Sequence, residues 1–135
     1  VGRFLRERSP YSAIALVADS TILTAVGNDY GYDEVFARQV AAYGRPGDVL
    51  VALSTSGRSS NLLKAAEVAI RNNIQVISLT SNRPSPLAVL SRIAIQAPAS
   101  ETPTIQEVHL LMIHHLADQV ERALASTGAA AESRS

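Results

Sequence analysis

The sequence has 135 residues, of which 47% are apolar and 18% are charged. That is enough chain for one domain with a single core, and the composition is that of an ordinary globular protein. Twelve basic side chains balance twelve acidic ones, so the chain has no general attraction to nucleic acid or anionic membranes. The absence of cysteine excludes disulfides and thiol chemistry, and leaves His, carboxylate or amide groups as candidate metal ligands.

The chain also lacks the usual signals for membranes or export. No apolar run approaches the about 18 residues typical of a membrane span. The first residues, 1–6, lack the apolar stretch of a signal peptide. We therefore expect a cytoplasmic protein whose partners include neither membrane nor nucleic acid.

Strand-like and helix-like segments alternate along the chain. Apolar runs predict buried strands at Ala13–Ala18, Asp48–Leu53, Ile74–Leu79 and Ile93–Gln96. Helical spacing and cap residues predict helices at Asp33–Tyr43, Ser59–Asn72, Pro86–Leu90 and Thr104–Ala125. This order is typical of an α/β fold with a parallel sheet and helices on both faces. It predicts one domain over residues 1–126 and a flexible tail over 127–135.

The loop after the second predicted strand is rich in hydroxyl groups. The segment 54–59 reads Ser-Thr-Ser-Gly-Arg-Ser and leads directly into a helix. A helix start offers free backbone N–H groups, hydroxyls add donors, and Gly57 permits close backbone approach, which together suit a phosphate. The Gly-Lys-Ser/Thr ending of a Walker loop is missing. The alternative is a loop in which serine serves only as a helix cap.

Two further groups of polar residues are candidates for a site. Asn28 and Asp29 lie in the glycine-flanked segment 27–31, where such residues often only hydrogen-bond their own backbone in a turn. The last predicted helix holds all three histidines, His109, His114 and His115. We expect His109 and His115 to be buried or interface residues rather than ligands.

Three motifs together resemble the sugar isomerase (SIS) domain, and within it the phosphoheptose isomerase family. They are the hydroxyl loop 54–59, the segment Ala-Val-Gly-Asn-Asp-Tyr-Gly at 25–31, and Ile-Gln-Glu-Val-His at 105–109 with His114. The resemblance extends from Val1 to about Leu124. It implies a Rossmann-like three-layer sandwich and conversion of sedoheptulose 7-phosphate to D-glycero-D-manno-heptose 7-phosphate.

The resemblance also implies roles for individual residues. The phosphate would be held by Ser54, Thr55, Ser56 and Ser59, and the sugar hydroxyls by Asn28, Asp29 and Gln106. Gln106 and His114 would be zinc ligands, with His114 also a candidate acid or base. Spacing alone leaves the shared metal open, because eight helical residues separate two Cα atoms by about 12 Å. The resemblance further implies a homotetramer.

The chain departs from the family pattern in three respects, one of which is the loop 81–86, where relatives often have glycines. Family members have preceding sequence that carries a His and a Glu zinc ligand, so we expect an N-terminally incomplete domain that is nearly inactive alone. Arg58 stands where the family commonly has Asn, and it either adds a phosphate contact or faces solvent.

Two other functions fit the same fold. One is a non-catalytic binding protein of the type that associates with the replication initiator, and the other is a sugar-phosphate-sensing regulatory domain. The presence of Gln106 together with His114 favours the isomerase over the first, and no DNA-binding segment supports the second.

Overall fold

The computed structural model describes residues 1–132, with side chains described to residue 125. The helices are α1 (Ser20–Tyr30), α2 (Ala37–Tyr43), α3 (Ser60–Arg71), α4 (Pro86–Leu90) and α5 (Thr102–Glu132), with a 3₁₀ turn at Tyr32–Glu34. The strands are β1 (Val49–Leu53), β2 (Gln75–Ser81) and β3 (Ile93–Ala97). The chain forms two compact units, a sheet unit (Ala15–His109) and a terminal unit (Val1–Ile14 with the residues from Leu110 onward).

The sheet unit is built on three parallel strands in the order β1-β2-β3. Helices α3 and α4 pack on one face of this sheet. The core between these helices and the sheet is aliphatic and consists of Val40, Ala52, Ala65, Ala66, Ala69, Ile74, Val76 and Leu87. Because small alanines line α3, the helix lies close to the strands. The predicted α/β class with a parallel sheet is confirmed.

The opposite face of the sheet is largely exposed in its outer strands. Side chains alternate along a strand, so the residues of β1 that do not join the core point to this face. Val49, Val51 and Leu53 are exposed there, as is Ile93 of β3. In the central strand Leu79 is buried. Four large apolar side chains thus form an exposed aliphatic face.

Short turns set the start of β1 and the end of α3. Gly47 has a φ of 94°, in the region that favours glycine, and its N–H donates to Asn73 O over 3.0 Å. Asn72 caps α3 through its backbone N–H, and Asn73 follows in a left-handed conformation with φ 57°. The turn before β1 is therefore joined to the turn that ends α3.

The predicted strand at Ala13–Ala18 is wrong. This segment has no regular structure, and Ile14 and Val17 are exposed. A strand needs a hydrogen-bonded neighbour, and among the described residues β1 pairs only with β2 while β3 forms the other edge. The apolar run therefore lacks a partner, and apolar character alone cannot create one.

Several helix boundaries also differ from the prediction. Helix α1 was not predicted, and it begins where Asp19 accepts hydrogen bonds from the N–H groups of Thr21 and Ile22. The predicted helix at Asp33–Tyr43 is divided into the 3₁₀ turn and α2.

Helix α5 is longer than predicted at both ends. It begins at Thr102, so Thr104 lies inside the first turn and is not the N-cap. It continues to Glu132, seven positions past the predicted end at Ala125. The remainder of the predicted tail, residues 133–135, lies outside the described residues. Within residues 1–132, none of the helices combines the length and apolar character that a membrane span requires.

The terminal unit is organised around the buried carboxylate of Glu121 on α5. This side chain is 2% exposed and accepts hydrogen bonds from the backbone N–H groups of Phe4, Leu5 and Arg6. Arg8 Nε donates to its Oε1 over 3.0 Å. Because these donors favour the charged form, led by the N–H of Phe4, the pKa of Glu121 falls to about 2 from its usual 4.5. One carboxylate thus fixes the first residues of the chain to the helix.

The hydrogen bonds to the Glu121 carboxylate should make an acid-sensitive contribution to the stability of the fold. Because the pKa of Glu121 is lower in the folded state than in the unfolded state, its ionised carboxylate stabilises the fold fully above about pH 4.5. This stabilisation is lost as the pH falls towards about 2. We expect urea unfolding of the wild type to show this loss across that window. Glu121→Gln should be less stable near neutral pH and should lack this component of the pH dependence.

Glu107, an exposed carboxylate on the same helix, provides the control. Glu107→Gln should retain the wild-type pH profile of unfolding free energy. Parallel profiles for wild type and Glu121→Gln between pH 2 and 4.5 would contradict the assignment.

Candidate functional site

A cavity of about 370 Å³ opens in the sheet unit where the strands end. Its walls come from the segments that follow each of the three strands. The lining residues are Thr55, Ser56, Arg58, Ser81, Arg83, Ser100, Thr102 and Ile105. Because the strands are parallel, their carboxyl ends share one edge of the sheet, which is where α/β folds bind ligands. The volume is within the range of small-molecule sites.

The hydroxyl loop between β1 and α3 has its predicted position at this edge. Thr55 and Ser56 line the cavity, whereas Ser54 is nearly buried and its Oγ accepts a hydrogen bond from Gly57 N over 3.0 Å. Ser56 Oγ accepts from Arg58 N over 3.2 Å. Ser59 is the exposed N-cap residue of α3, and its hydroxyl makes no capping hydrogen bond. The structure thus brings Thr55 and Ser56 to the cavity, gives Ser54 an internal role in the loop, and does not include Ser59 in the lining.

Gly57 allows this loop to touch the loop that follows β2. Its φ is 61°, and a Cβ atom at this position would lie 2.6 Å from Ser85 Cβ and 3.3 Å from Thr80 Cγ2. Its carbonyl accepts a hydrogen bond from Leu87 N over 3.1 Å. Any larger residue would separate the two loops, so glycine here has a structural cause.

Two further hydrogen bonds join the same loops. Ser81 N donates to Thr55 O over 3.3 Å, and Arg58 Nη2 donates to Pro84 O over 3.2 Å. The two loops therefore form one connected wall of the cavity.

The Asn28–Asp29 pair has a different local structure from the one predicted. These residues belong to the last turn of α1 rather than to a free turn, and Gly31 ends the helix with φ 88°. Asn28 Nδ2 donates to Asp29 Oδ1 over 2.8 Å, and both side chains are exposed. The two residues are absent from the lining of the cavity.

The segment after Asn28–Asp29 is attached to the helix that follows the hydroxyl loop. In the 3₁₀ turn, Asp33 accepts a hydrogen bond from Ser60 Oγ, and Glu34 pairs with Lys64 Nζ over 2.7 Å. The hydrogen bond to Glu34 raises the pKa of Lys64. Both partners belong to the first turns of α3, so α1 and the hydroxyl loop are linked through this helix.

The polar residues of α5 have distinct environments. Gln106 is exposed, whereas His109 is buried and its Nε2 lies 3.2 Å from Thr80 O, an atom that can only accept a hydrogen bond. His109 is therefore a buried histidine with a hydrogen-bond partner, as predicted. In the terminal unit His114 is exposed and stacks on Phe4, with ring centroids 5.8 Å apart, and His115 is exposed.

The donors among the described residues do not complete a zinc site. Protein zinc sites use three or four protein ligands. The described residues contain no group of three or more His, Cys, Asp or Glu side chains arranged to hold a metal ion. Gln106 and His114 would supply one neutral donor each, so zinc would require ligands in addition to these two.

Sequence reasoning missed much of the cavity. Ser81, Arg83, Ser100, Thr102 and Ile105 were not assigned to a site. A signal existed for the first two, because the polar run Thr80–Arg83 directly follows a predicted strand. The same rule that selected the loop after β1 applies to every strand end of a parallel sheet.

Comparison with known proteins adds independent information. A family model described as SIS domain matches residues 1–81. The phosphoheptose isomerase of Rhodospirillum rubrum is 50% identical over 125 residues, which are 93% of this chain and 66% of that protein. The chain spans slightly less than two thirds of the length of the curated relatives it matches, with 66% of the first and 64% of the next.

Solved structures agree with the sequence comparison. A phosphoheptose isomerase from Francisella tularensis superimposes with a TM-score of 0.83 at 38% identity, covering 88% of this chain and 66% of that one. One from Neisseria gonorrhoeae gives a TM-score of 0.79 at 42% identity, covering 82% and 62%. The resemblance to phosphoheptose isomerases that the three motifs predict is thereby confirmed. Because the family model matches more than half of the chain, this protein belongs to the SIS domain family.

Proposed function

We propose that this protein is an aldose–ketose isomerase that converts sedoheptulose 7-phosphate to D-glycero-D-manno-heptose 7-phosphate. The observation that carries the proposal is the hydroxyl-lined cavity at the carboxyl edge of the sheet. The chain that forms this cavity is 50% identical in sequence to a phosphoheptose isomerase. The cavity is large enough for more than a phosphate group alone.

The phosphate end of the substrate would be held at the hydroxyl loop. Thr55 and Ser56 line the cavity, and Ser59 follows them in the same loop as the N-cap residue of α3. Hydroxyl and backbone donors that meet an anion make charge-assisted hydrogen bonds, which are stronger than neutral ones. Ser54 supports the loop from within by accepting the hydrogen bond from Gly57.

The sugar hydroxyls would be bound by groups that both accept and donate. The bond from Asn28 to Asp29 orients the pair and leaves the Asn28 carbonyl and the second carboxylate oxygen free to accept. The link from the 3₁₀ turn to α3 supports placing this pair on the same side as the phosphate loop. Gln106 is the third proposed polyol contact, and its exposure leaves its amide accessible.

Isomerisation moves a proton between C1 and C2 through an enediol. It requires a base at the carbon and a group that stabilises negative charge on the carbonyl oxygen. We propose His114 as a catalytic residue, since its imidazole is exposed and histidine is the side chain that most often acts as a general acid or base.

Zinc is proposed as the cofactor, with Gln106 and His114 among its ligands. Such an ion would supply polarisation of the substrate carbonyl. Its remaining ligands would have to come from groups other than the described side chains.

The non-catalytic alternative is less well supported. Curated relatives that are 50% and 46% identical to the chain, and solved structures that are 38% and 42% identical, are named phosphoheptose isomerases. A binding protein would need neither an exposed His114 nor Gln106, and both are present.

The hydroxyl loop gives the first test of this function. Replacing Ser56 and Ser59 with alanine should weaken binding of sedoheptulose 7-phosphate by about 1.5–3 kcal/mol for each lost charge-assisted hydrogen bond. Calorimetric titration of the full-length protein measures this. Ser20→Ala, which removes an exposed hydroxyl from α1, should leave the affinity unchanged. Equal affinity of the double variant and wild type would refute the phosphate assignment.

His114 gives the second test, and its neighbour His115 is the matched control. His114→Asn in the full-length protein should abolish isomerisation of sedoheptulose 7-phosphate and lower the zinc content, with the unfolding midpoint nearly retained because the residue is exposed. His115→Asn should behave like wild type in all three measurements. Full activity of His114→Asn would overturn its proposed role, and an inactive, well-folded wild type would favour the binding protein.

We also propose that the protein is a cytoplasmic homotetramer. Four apolar side chains on the open face of the sheet, Val49, Val51, Leu53 and Ile93, offer a surface that association would cover. Light scattering of the full-length protein should give four times the mass of one chain. A monomer mass at micromolar concentration would refute the tetramer.

A further inference from the structure

Two arginines line the cavity from different loops. Arg58 follows β1 and Arg83 follows β2, and both side chains are exposed at the cavity. Neither guanidinium pairs with a carboxylate among the described residues, since the ion pairs found there involve other cations. The lining contains no Asp or Glu. The cavity therefore carries two positive charges without a counter-charge, in a chain whose net charge is zero.

Hydrogen bonds and a close contact join the two loops that carry these arginines. Arg58 Nη2 donates to the carbonyl of Pro84, the residue next to Arg83. The contact at Gly57 and the hydrogen bond from Ser81 N to Thr55 O connect the same two loops at other points. The Arg83 N–H in turn lies 3.4 Å from Ser81 Oγ, at the end of β2. Both guanidinium groups thus start from anchored backbone.

An exposed cation with no protein partner interacts weakly with a distant anion, because water and salt screen it. Two guanidinium groups that converge on one anion act differently. Each presents several N–H donors in a planar fork that matches phosphate oxygens. Hydroxyls alone recognise phosphate by hydrogen bonding, whereas a pair of arginines adds selection by charge.

We propose that Arg58 and Arg83 form a two-arginine clamp that binds the phosphate dianion of the substrate and makes the affinity for phosphorylated sugars depend on charge. The inference deepens the proposed isomerase function, since it names two specificity-determining residues of the same site. It extends the phosphate site from the loop after β1 to the loop after β2.

The test is a calorimetric titration of the full-length protein with inorganic phosphate and with sedoheptulose 7-phosphate. At about pH 8 the dianion is the main form of both probes, because the second pKa of a phosphate monoester is about 6 and that of inorganic phosphate also lies below this pH. We expect Arg58→Gln and Arg83→Gln each to weaken binding of both probes by about fivefold to tenfold, and the double variant to weaken it further. The affinity of the wild type should decrease as the potassium chloride concentration is raised, because salt screens the charges. This decrease should be much smaller in the double variant.

Two variants separate recognition from folding and from general charge. Arg92→Gln removes an arginine outside the cavity and should bind both probes like wild type. Arg58→Lys keeps the charge but loses the fork, and its affinity should be intermediate. Arg83 makes no side-chain hydrogen bond within the described residues, so Arg83→Gln should also retain the wild-type unfolding midpoint.

The outcomes distinguish the clamp from the isomerase function. Arginine-dependent phosphate binding without turnover would sustain the clamp and refute the isomerase. Turnover with an unchanged KM and unchanged salt dependence in the double variant would refute the clamp and sustain the isomerase. An equal loss of affinity in Arg92→Gln would also overturn the clamp, since it would reveal a general effect of charge.

Discussion

The close contact between the loop after β1 and the loop after β2 is the constraint on which the candidate site depends. At its centre Gly57 adopts a positive φ and lies against Ser85, with no room for a Cβ atom. Hydrogen bonds from Leu87 N to Gly57 O and from Ser81 N to Thr55 O join the loops on either side of that contact. Without it, the hydroxyls of one loop and the cation of the other would not border the same space.

The parallel sheet explains why polar groups collect at this edge. All three strands end on the same side, so the segments that follow them meet even though they are far apart in sequence. Thr55 and Ser56 come from the first segment, Arg83 from the second, and Ser100 from the third. A chain with zero net charge can thereby create a local positive site.

A second buried polar contact organises the terminal unit. The carboxylate of Glu121 receives three backbone N–H groups and an arginine, all from the first eight residues. Burial of a carboxylate is costly unless donors surround it, and here each oxygen has partners. The pKa of Glu121 is lowered for the same reason, since these donors stabilise the charged form.

Local sequence features were sufficient for much of this protein. Apolar runs located β1, β2 and β3, helical spacing and cap residues located α3, and the run of hydroxyls after β1 located one wall of the site. These features depend on residues close together in the chain, so periodicity and turn chemistry reveal them. The three short motifs were likewise enough to indicate the family, because each is a contiguous or nearly contiguous run of residues.

Only the tertiary structure decided which distant segments meet. It showed that Ala13–Ala18 is not a strand, that Arg83 and Ser100 border the same cavity as the hydroxyl loop, and that Glu121 holds the first residues. Each of these depends on pairing between segments that are far apart in the chain. A single sequence does not encode such pairing in its local pattern, because the same apolar run or polar side chain is compatible with several partners.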